Sequence, residues 1–225
     1  MINAPVIPVI KFESSARPFL GRPVRFTVYS RHRSAVNLKI GRRLLPLLGE
    51  GASMGPSAIV LSSLDLFFTH DSGTVFFDGG EEVSLSCPEN PDGKFLERIA
   101  PVICKKRKFL KGYDDAAVEE KVKGREWSGI LGLGSGMTPK GDDFLLGYSL
   151  FSREKSFMYF FGSADFGSRT NLLASFFLEF ARNKKVTQSV ADFAEGRNAR
   201  LLEEGASSGL YTAWGILEGC DIVVS

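Results

Sequence analysis

The spacing of apolar residues changes near residue 92, and this change constrains the fold more than any other feature of the sequence. Before it, short alternating or apolar segments stand between Gly, Pro and Ser, which is typical of strands and turns. After it, apolar residues recur at helical spacing. Strands followed by helices predict an α+β protein. We expect a β-rich part over residues 1–91, an antiparallel layer or barrel-like sheet, and a helical domain over residues 92–225.

Six short strands are predicted in the first part, and the last two flank a turn. The sequence Asp78-Gly79-Gly80 between them favours a hairpin, because glycines adopt the backbone angles that tight hairpin turns need. The six predicted strands cover residues 24–29, 36–40, 44–48, 58–61, 75–77 and 83–85.

The second part begins with a predicted helix from Lys94 to Lys111, which Pro101 should bend or split. Residues 105–108 of this helix form a basic run. Such a run is usually a solvated helix face, although a phosphate or partner patch is the alternative. A short polar helix is predicted over residues 114–123, and a helix with an apolar face should start near Pro139.

The charge balance and the few cysteines and histidines exclude several classes of protein. Against 28 Lys and Arg stand 26 Asp and Glu, which is too even for a protein that mainly neutralises nucleic-acid phosphates. Three Cys and two His disfavour a disulfide scaffold and a zinc cluster. The sequence shows neither a signal peptide pattern nor a long apolar run, so we expect no membrane partner and a cytoplasmic location.

The most informative stretch is residues 132–143, in which three glycines alternate with other residues. Glycines leave backbone N–H groups open to approach and tolerate positive φ. Thr138 is a good N-cap and Pro139 suits the first helical position, so the positive end of the next helix should face the glycines. This arrangement predicts an anion site. The stretch fits neither a Walker loop nor a dinucleotide fingerprint, since Met137 replaces the third glycine of the latter.

Asp142 and Asp143 follow in the first turn of the same helix and are the candidate catalytic residues. Two carboxylates beside an anion pocket could hold Mg²⁺, the one cofactor that the sequence suggests. They could equally accept hydrogen bonds from an amide or amine of a substrate. The alternative is a glycine-rich connection to a well-capped helix, but two Asp and a Gly in one turn have poor helix propensity.

A second loop, residues 205–209, also follows one helix and opens another. It matches Gly-x-Ser-x-Gly, but a nucleophile elbow needs a preceding strand and a later His, and the sequence offers neither. The loop is therefore a helix cap or the second wall of one ligand site. The candidate substrate-binding residues of the two loops are Gly134, Ser135, Gly136, Thr138, Gly141, Ser207, Ser208 and Gly209.

The stretch from Gly132 to Gly147 resembles the signature of a bacterial domain-of-unknown-function family, described as carboxylase-related, that includes the H subunit of oxamate carbamoyltransferase. The resemblance implies carbamoyl transfer, a small anionic metabolite, and either other subunits of a complex or a homo-oligomer. The fitting positions are Gly132, Gly134, Gly136, Thr138, Pro139, Gly141, Asp142, Asp143, Phe144 and Gly147.

The second loop departs from that family. The family loop usually reads Gly-His-Ser-Ser-Gly and an Asp follows, whereas this chain has Ala206 and Tyr211 at those positions. Two hypotheses stay open. The chain is an enzyme or enzyme subunit that binds a small anionic substrate at glycine-rich helix N-termini, or it is a non-catalytic metabolite-binding or regulatory subunit with a degenerate site.

Overall fold

A computed structural model describes residues 4–110 and 113–222, with the backbone alone at Tyr113. The chain divides into two compact units, Met1–Leu85 and Ser86–Ser225. Strands fill the first unit and helices the second, so the predicted α+β order is confirmed. The division into two domains near residue 91 stays a prediction.

The first unit is a barrel of six strands with one added strand. The sheet order is β5-β4-β3-β2-β6-β1-β7, and β5 also pairs with β1, which closes the barrel. Its strands are β1 (Val6–Glu13), β2 (Pro23–His32), β3 (Ala35–Ile40), β4 (Arg43–Gly49), β5 (Ile59–Leu61), β6 (Ser72–Asp78) and β7 (Glu81–Val83), with a short helix α1 (Asp65–Thr69) between β5 and β6.

The barrel is mixed and not purely antiparallel. Three pairings are parallel, namely β1 with β6, β1 with β7 and β4 with β5. A long connection, residues 50–58, returns the chain so that β5 runs in the direction of β4. The barrel-like alternative is thus confirmed. The barrel strand β1 was not predicted, because Pro8 interrupts its apolar pattern.

The predicted hairpin at Asp78-Gly79-Gly80 is wrong. Both flanking strands run parallel to β1, with Phe76 opposite Val6 and Glu81 opposite Lys11. Gly79 and Gly80 have φ of +80° and +96°, and Gly80 lies against Val9. The glycines therefore let the chain continue along β1 instead of reversing it.

The second unit is helical throughout. The helix α2 is continuous through Pro101, so of the two predicted effects the split is wrong and the bend stays a prediction. Lys111 lies outside the described residues. The described helices are α2 (Gly93–Phe109), α3 (Tyr113–Lys123), α4 (Trp127–Ile130), α5 (Lys140–Phe151), α6 (Lys155–Ser163), α7 (Leu172–Arg182), α8 (Gln188–Ala194) and α9 (Ser208–Gly219).

Glycines bring α5 and α9 into close contact at the centre of this unit. A Cβ atom at Gly147 would overlap the carbonyl oxygen of Thr212, and one at Gly215 would overlap that of Phe144. Further along, Gly219 lies against Tyr148. The contacts advance along both helices in the same sense, so α5 and α9 run in the same direction and begin at the same end of the unit.

Aromatic side chains fill the core around this helix pair. Trp127 stacks on Tyr148 with ring centroids 4.9 Å apart, and Phe144 lies 4.6 Å from Trp214. The basic run of α2 contributes here too, because the Arg107 guanidinium lies 3.3 Å from the Trp214 ring centroid and pairs with Glu119. Its three lysines are exposed, as a solvated face requires. No helix in the described ranges is long and apolar enough to cross a bilayer.

Candidate functional site

The glycine-rich loop enters α5 one residue later than the sequence predicts. Pro139 occupies the N-cap position with ψ of 141°, and its carbonyl accepts the Asp143 N–H at 3.1 Å. Thr138 is therefore not the N-cap, because proline already holds the extended conformation that the cap needs. The Thr138 hydroxyl instead lies 2.6 Å from the Ser208 hydroxyl.

The alternating glycines adopt the backbone conformation that their spacing predicts. Gly132, Gly134 and Gly136 have φ of +79°, +109° and +111°, which side chains rarely tolerate. A Cβ at Gly132 would overlap the Arg169 carbonyl, whereas one at Gly136 would meet only the Thr138 carbonyl, at 3.6 Å. Ser135 and Gly136 are exposed. The open part of the loop is therefore its middle.

Two of the predicted substrate-binding glycines serve packing. The Gly141 N–H donates to the Leu133 carbonyl at 2.9 Å, and the Gly209 N–H donates to the Glu204 carbonyl at 3.2 Å. Both glycines are buried, and a Cβ at either would overlap a backbone carbonyl oxygen. Their backbone donors are thus already used within the fold.

Asp142 holds the loop in place. Its Oδ1 accepts the Gly132 N–H at 2.7 Å, and its Oδ2 accepts the Thr170 hydroxyl. Burial raises the pKa of this carboxyl, while the hydrogen bonds from Thr170 and Gly132 oppose that rise. Both oxygens therefore have protein partners, and Asp142 ties the start of the loop to the segment before α7.

Asp143 differs from its neighbour in having an oxygen to spare. The residue is 7 % exposed, and its Oδ2 is buried without a hydrogen-bond partner among the described residues. Burial raises the pKa of Asp143 to about 8, although hydrogen bonds from Ser208 and Thr138 lower it. The carboxyl is mostly protonated at neutral pH and can then donate a hydrogen bond.

The second loop meets the first at this carboxyl. Ser207 is the N-cap of α9, and Ser208 is the first residue of that helix. Among the described residues, the side chain of the N-cap residue caps neither helix, neither Pro139 at α5 nor Ser207 at α9. Of the predicted residues, the fold thus brings Thr138, Asp143 and Ser208 together at two adjacent helix N-termini.

A buried polar cluster beside this point has no counterpart in the sequence prediction. Lys140 Nζ binds both carboxylate oxygens of Asp115 at 2.9 Å, and the Tyr211 hydroxyl donates to the same carboxylate. Burial and the contact with Asp115 raise the pKa of Tyr211, so it stays protonated. Asp114, the neighbour of Asp115, accepts from Ser135. The sequence signal that could have indicated this cluster is the acidic pair Asp114 and Asp115 at the start of the predicted helix.

The magnesium hypothesis for Asp142 and Asp143 stays a prediction, and the geometry limits it. Magnesium prefers free, ionised carboxylate oxygens. Asp142 would have to give up Gly132 or Thr170, and Asp143 would have to ionise in a buried position. Among the described residues, no group of three or more His, Cys, Asp or Glu side chains is arranged to hold a metal ion. The pair as built therefore offers magnesium only one carboxylate oxygen without a partner among the described residues, Oδ2 of Asp143.

One segment of the chain matches a family model, and it contains both loops and the helices α5 and α9 that follow them. Residues 130–220 match the family model described as oxamate carbamoyltransferase subunit AllH. The resemblance predicted from the first loop is thereby confirmed. The AllH match includes Asp142, Asp143 and Ser208 but not α3, which supplies Asp114 and Asp115. No curated protein and no solved structure matches the chain.

Proposed function

We propose that the helical unit binds a small anionic substrate between its two loops and works as an enzyme subunit in carbamoyl transfer. The observation that carries the proposal is the Asp143 carboxyl, which is buried beside Thr138 and Ser208 and has one oxygen without a partner among the described residues. A buried polar atom of this kind costs free energy unless a ligand satisfies it. The match to AllH supports carbamoyl chemistry as the class of reaction.

The chemistry of these groups suits a carbamoyl group. A carbamoyl group presents a carbonyl acceptor and amide donors. The protonated Asp143 carboxyl can donate to the carbonyl oxygen, and the hydroxyls of Thr138 and Ser208 can donate or accept. Negative charge grows on that oxygen during transfer, and a fixed neutral donor in a buried position stabilises it without reorganisation. Positioning and such stabilisation are the main requirements of this transfer.

Partners belong to the same proposal. The family description names a subunit, which supports assembly with other subunits of a carbamoyltransferase-like complex or with further copies of this chain. If another subunit completes the site, the isolated chain makes only part of the contacts to the donor or acceptor substrate.

A second candidate is a non-catalytic metabolite-binding or regulatory subunit. The observation that favours it concerns Tyr211, which stands where the similar family has an Asp. Its hydroxyl is buried and donates a hydrogen bond to the Asp115 carboxylate. Ala206 likewise offers no polar group where that family has a His. Binding would survive these changes, and turnover would not.

A thermal-shift screen of small anions tests the binding proposal. Oxamate, carbamoyl phosphate and inorganic phosphate are added with and without Mg²⁺, and the melting temperature of the helical unit is recorded. We expect a stabilising hit that Asp143→Asn and Ser208→Ala weaken and that the exposed control Asp165→Asn keeps. A hit that both site variants retain in full would contradict the proposed site.

The two candidates are then separated by turnover. Phosphate release from carbamoyl phosphate is followed in the presence of oxamate, with the chain alone and with added partner subunits. Release that depends on Asp143 supports the enzyme. Tight binding without release in either preparation supports the regulatory subunit.

A further inference from the structure

The open middle of the glycine-rich loop already holds a carboxylate. Ser135 donates its backbone N–H at 3.2 Å and its hydroxyl at 3.0 Å to one oxygen of Asp114, the second residue of α3. Two donors that converge on one carboxylate oxygen are the usual way in which a loop binds an anion. An acidic side chain of the same chain therefore occupies the place where these two donors converge.

The two acidic residues of α3 are held very differently. The contact between Asp114 and Ser135 is exposed. The next residue, Asp115, is 5 % exposed in its side chain and pairs with Lys140, which is 17 % exposed. Exposed polar contacts contribute little net free energy, whereas a buried pair is costly to break. Asp115 thus anchors α3, and Asp114 makes a contact that a ligand can displace.

A second observation concerns a polar atom near this loop that has no partner among the described residues. On the helix that follows it, Asp143 Oδ2 is buried and lacks a hydrogen-bond partner in the described ranges. The loop and α5 therefore offer one satisfied anion position, at Ser135, and one unsatisfied polar atom, at Asp143. A small molecule with two polar groups can place its anionic group at Ser135 and its other group at Asp143.

We propose that Ser135 is the subsite for the carboxylate or a comparable oxyanion of the substrate, and that Asp114 is an internal competitor which the substrate displaces. This inference rests on the proposed function, because it assigns the anionic group of the same substrate. When a competitor occupies the subsite most of the time, the apparent association constant equals the intrinsic one multiplied by the fraction of time that the subsite is free. Displacement also releases the first turn of α3 from the loop.

Calorimetric titration with two probes, inorganic phosphate and oxamate, tests the subsite. The proteins are the wild type, Asp114→Ala and the control Glu120→Ala, an exposed acid on the same helix. We expect both probes to bind Asp114→Ala about fivefold more tightly than the wild type, since the competing hydrogen bonds are gone. Glu120→Ala should match the wild type, although it carries the same change of net charge.

Hydrogen exchange on the wild-type chain supplies a measurement that needs no variant. Saturating phosphate should speed amide exchange in the first described turn of α3 and leave α7 unchanged. Slower exchange in that turn of α3 would overturn the proposal, because the anion would then bind without displacing Asp114.

The titrations also separate this inference from the proposed function. Tighter phosphate binding by Asp114→Ala without oxamate binding in any variant supports the subsite and contradicts the carbamoyl substrate. Oxamate binding that Asp143→Asn weakens and Asp114→Ala leaves unchanged supports the proposed function and overturns the subsite. Absence of phosphate and oxamate binding by Asp114→Ala also overturns the subsite.

Discussion

The hydroxyl oxygens of Thr138 and Ser208 lie 2.6 Å apart, although 70 positions separate the two residues in the sequence. Each residue stands at the beginning of a helix, and the close packing of α5 on α9 brings those beginnings together. The contact also places both hydroxyls beside Asp143. Unfolding measurements can test this carboxyl, the helix pair and the neighbouring residues Lys140 and Asp142.

The contribution of Asp143 to the stability of the helical unit should fall as the pH rises from about 4 to about 8. The pKa of Asp143 is raised to about 8 in the folded chain, and an unfolded Asp titrates near 4. Between these values the folded state holds a proton that the unfolded state releases, so folding is favoured at the acidic end and loses that contribution as the pH rises. Each pH unit of difference corresponds to about 1.4 kcal/mol.

Urea unfolding at several pH values checks this sign. Asp143→Asn removes the titrating carboxyl and keeps its shape. The unfolding free energy of the wild type should therefore decrease relative to that of the variant as the pH rises. A pH-independent difference would show that Asp143 titrates normally in the folded chain.

The glycines at the helix contact should tolerate no side chain. Gly147→Ala places a Cβ against the Thr212 carbonyl, and such overpacking costs about 1–3 kcal/mol or more. Gly162→Ala in α6 is the matched control, because its Cβ would have no neighbour within 4 Å. Denaturant unfolding should show a large loss for the first variant and no loss for the second. Equal midpoints would contradict the close approach of α5 and α9.

Removal of the Lys140 charge should destabilise the chain strongly. Lys140→Met removes the cation that binds both oxygens of the buried Asp115 carboxylate, and removal of one partner of a buried ion pair costs about 3–5 kcal/mol. The exposed Lys155→Met loses the same charge at the surface and should change stability by less than about 0.5 kcal/mol. The comparison is made by denaturant unfolding at one pH. A similar small effect of both variants would show that Asp115 does not depend on Lys140.

Asp142 should matter for stability and not for ligand contact. Asp142→Asn offers an amide where the Thr170 hydroxyl and the Gly132 N–H both donate, so we expect a loss of about 1 kcal/mol or more in unfolding free energy. The dissociation constant for oxamate should stay within about twofold, a factor worth less than about 0.5 kcal/mol. If Asp142→Asn had normal stability but lost oxamate binding, Asp142 would instead be a substrate-binding residue.

Local patterns in the sequence predicted the elements well, because periodicity and glycine spacing act within one segment. The left-handed glycines of the first loop and the helix after Pro139 follow from such local rules. The hairpin at Gly79 failed because both glycines let the chain follow β1, a strand far away in the sequence. Thr138 failed as a cap for the local reason that proline took the position.

The candidate site was predictable only where one motif contains its residues. Asp142 and Asp143 are adjacent in the sequence, yet their oxygens have different partners, and those partners come from other segments. The Asp115 carboxylate meets Tyr211 across 96 positions, and no pattern within either segment encodes that meeting. Tertiary packing decides which of two equal side chains is satisfied and which is left open.

The most direct test of the central claim is the affinity for oxamate as a function of pH. If the protonated Asp143 carboxyl contacts the anion, the wild-type dissociation constant should rise above pH 8, by up to about tenfold per pH unit, as that carboxyl ionises and repels the ligand. Asp143→Asn should show a weaker but pH-independent affinity over the same range. A wild-type affinity that does not change between pH 6 and pH 10, or an identical pH dependence in Asp143→Asn, would contradict the account.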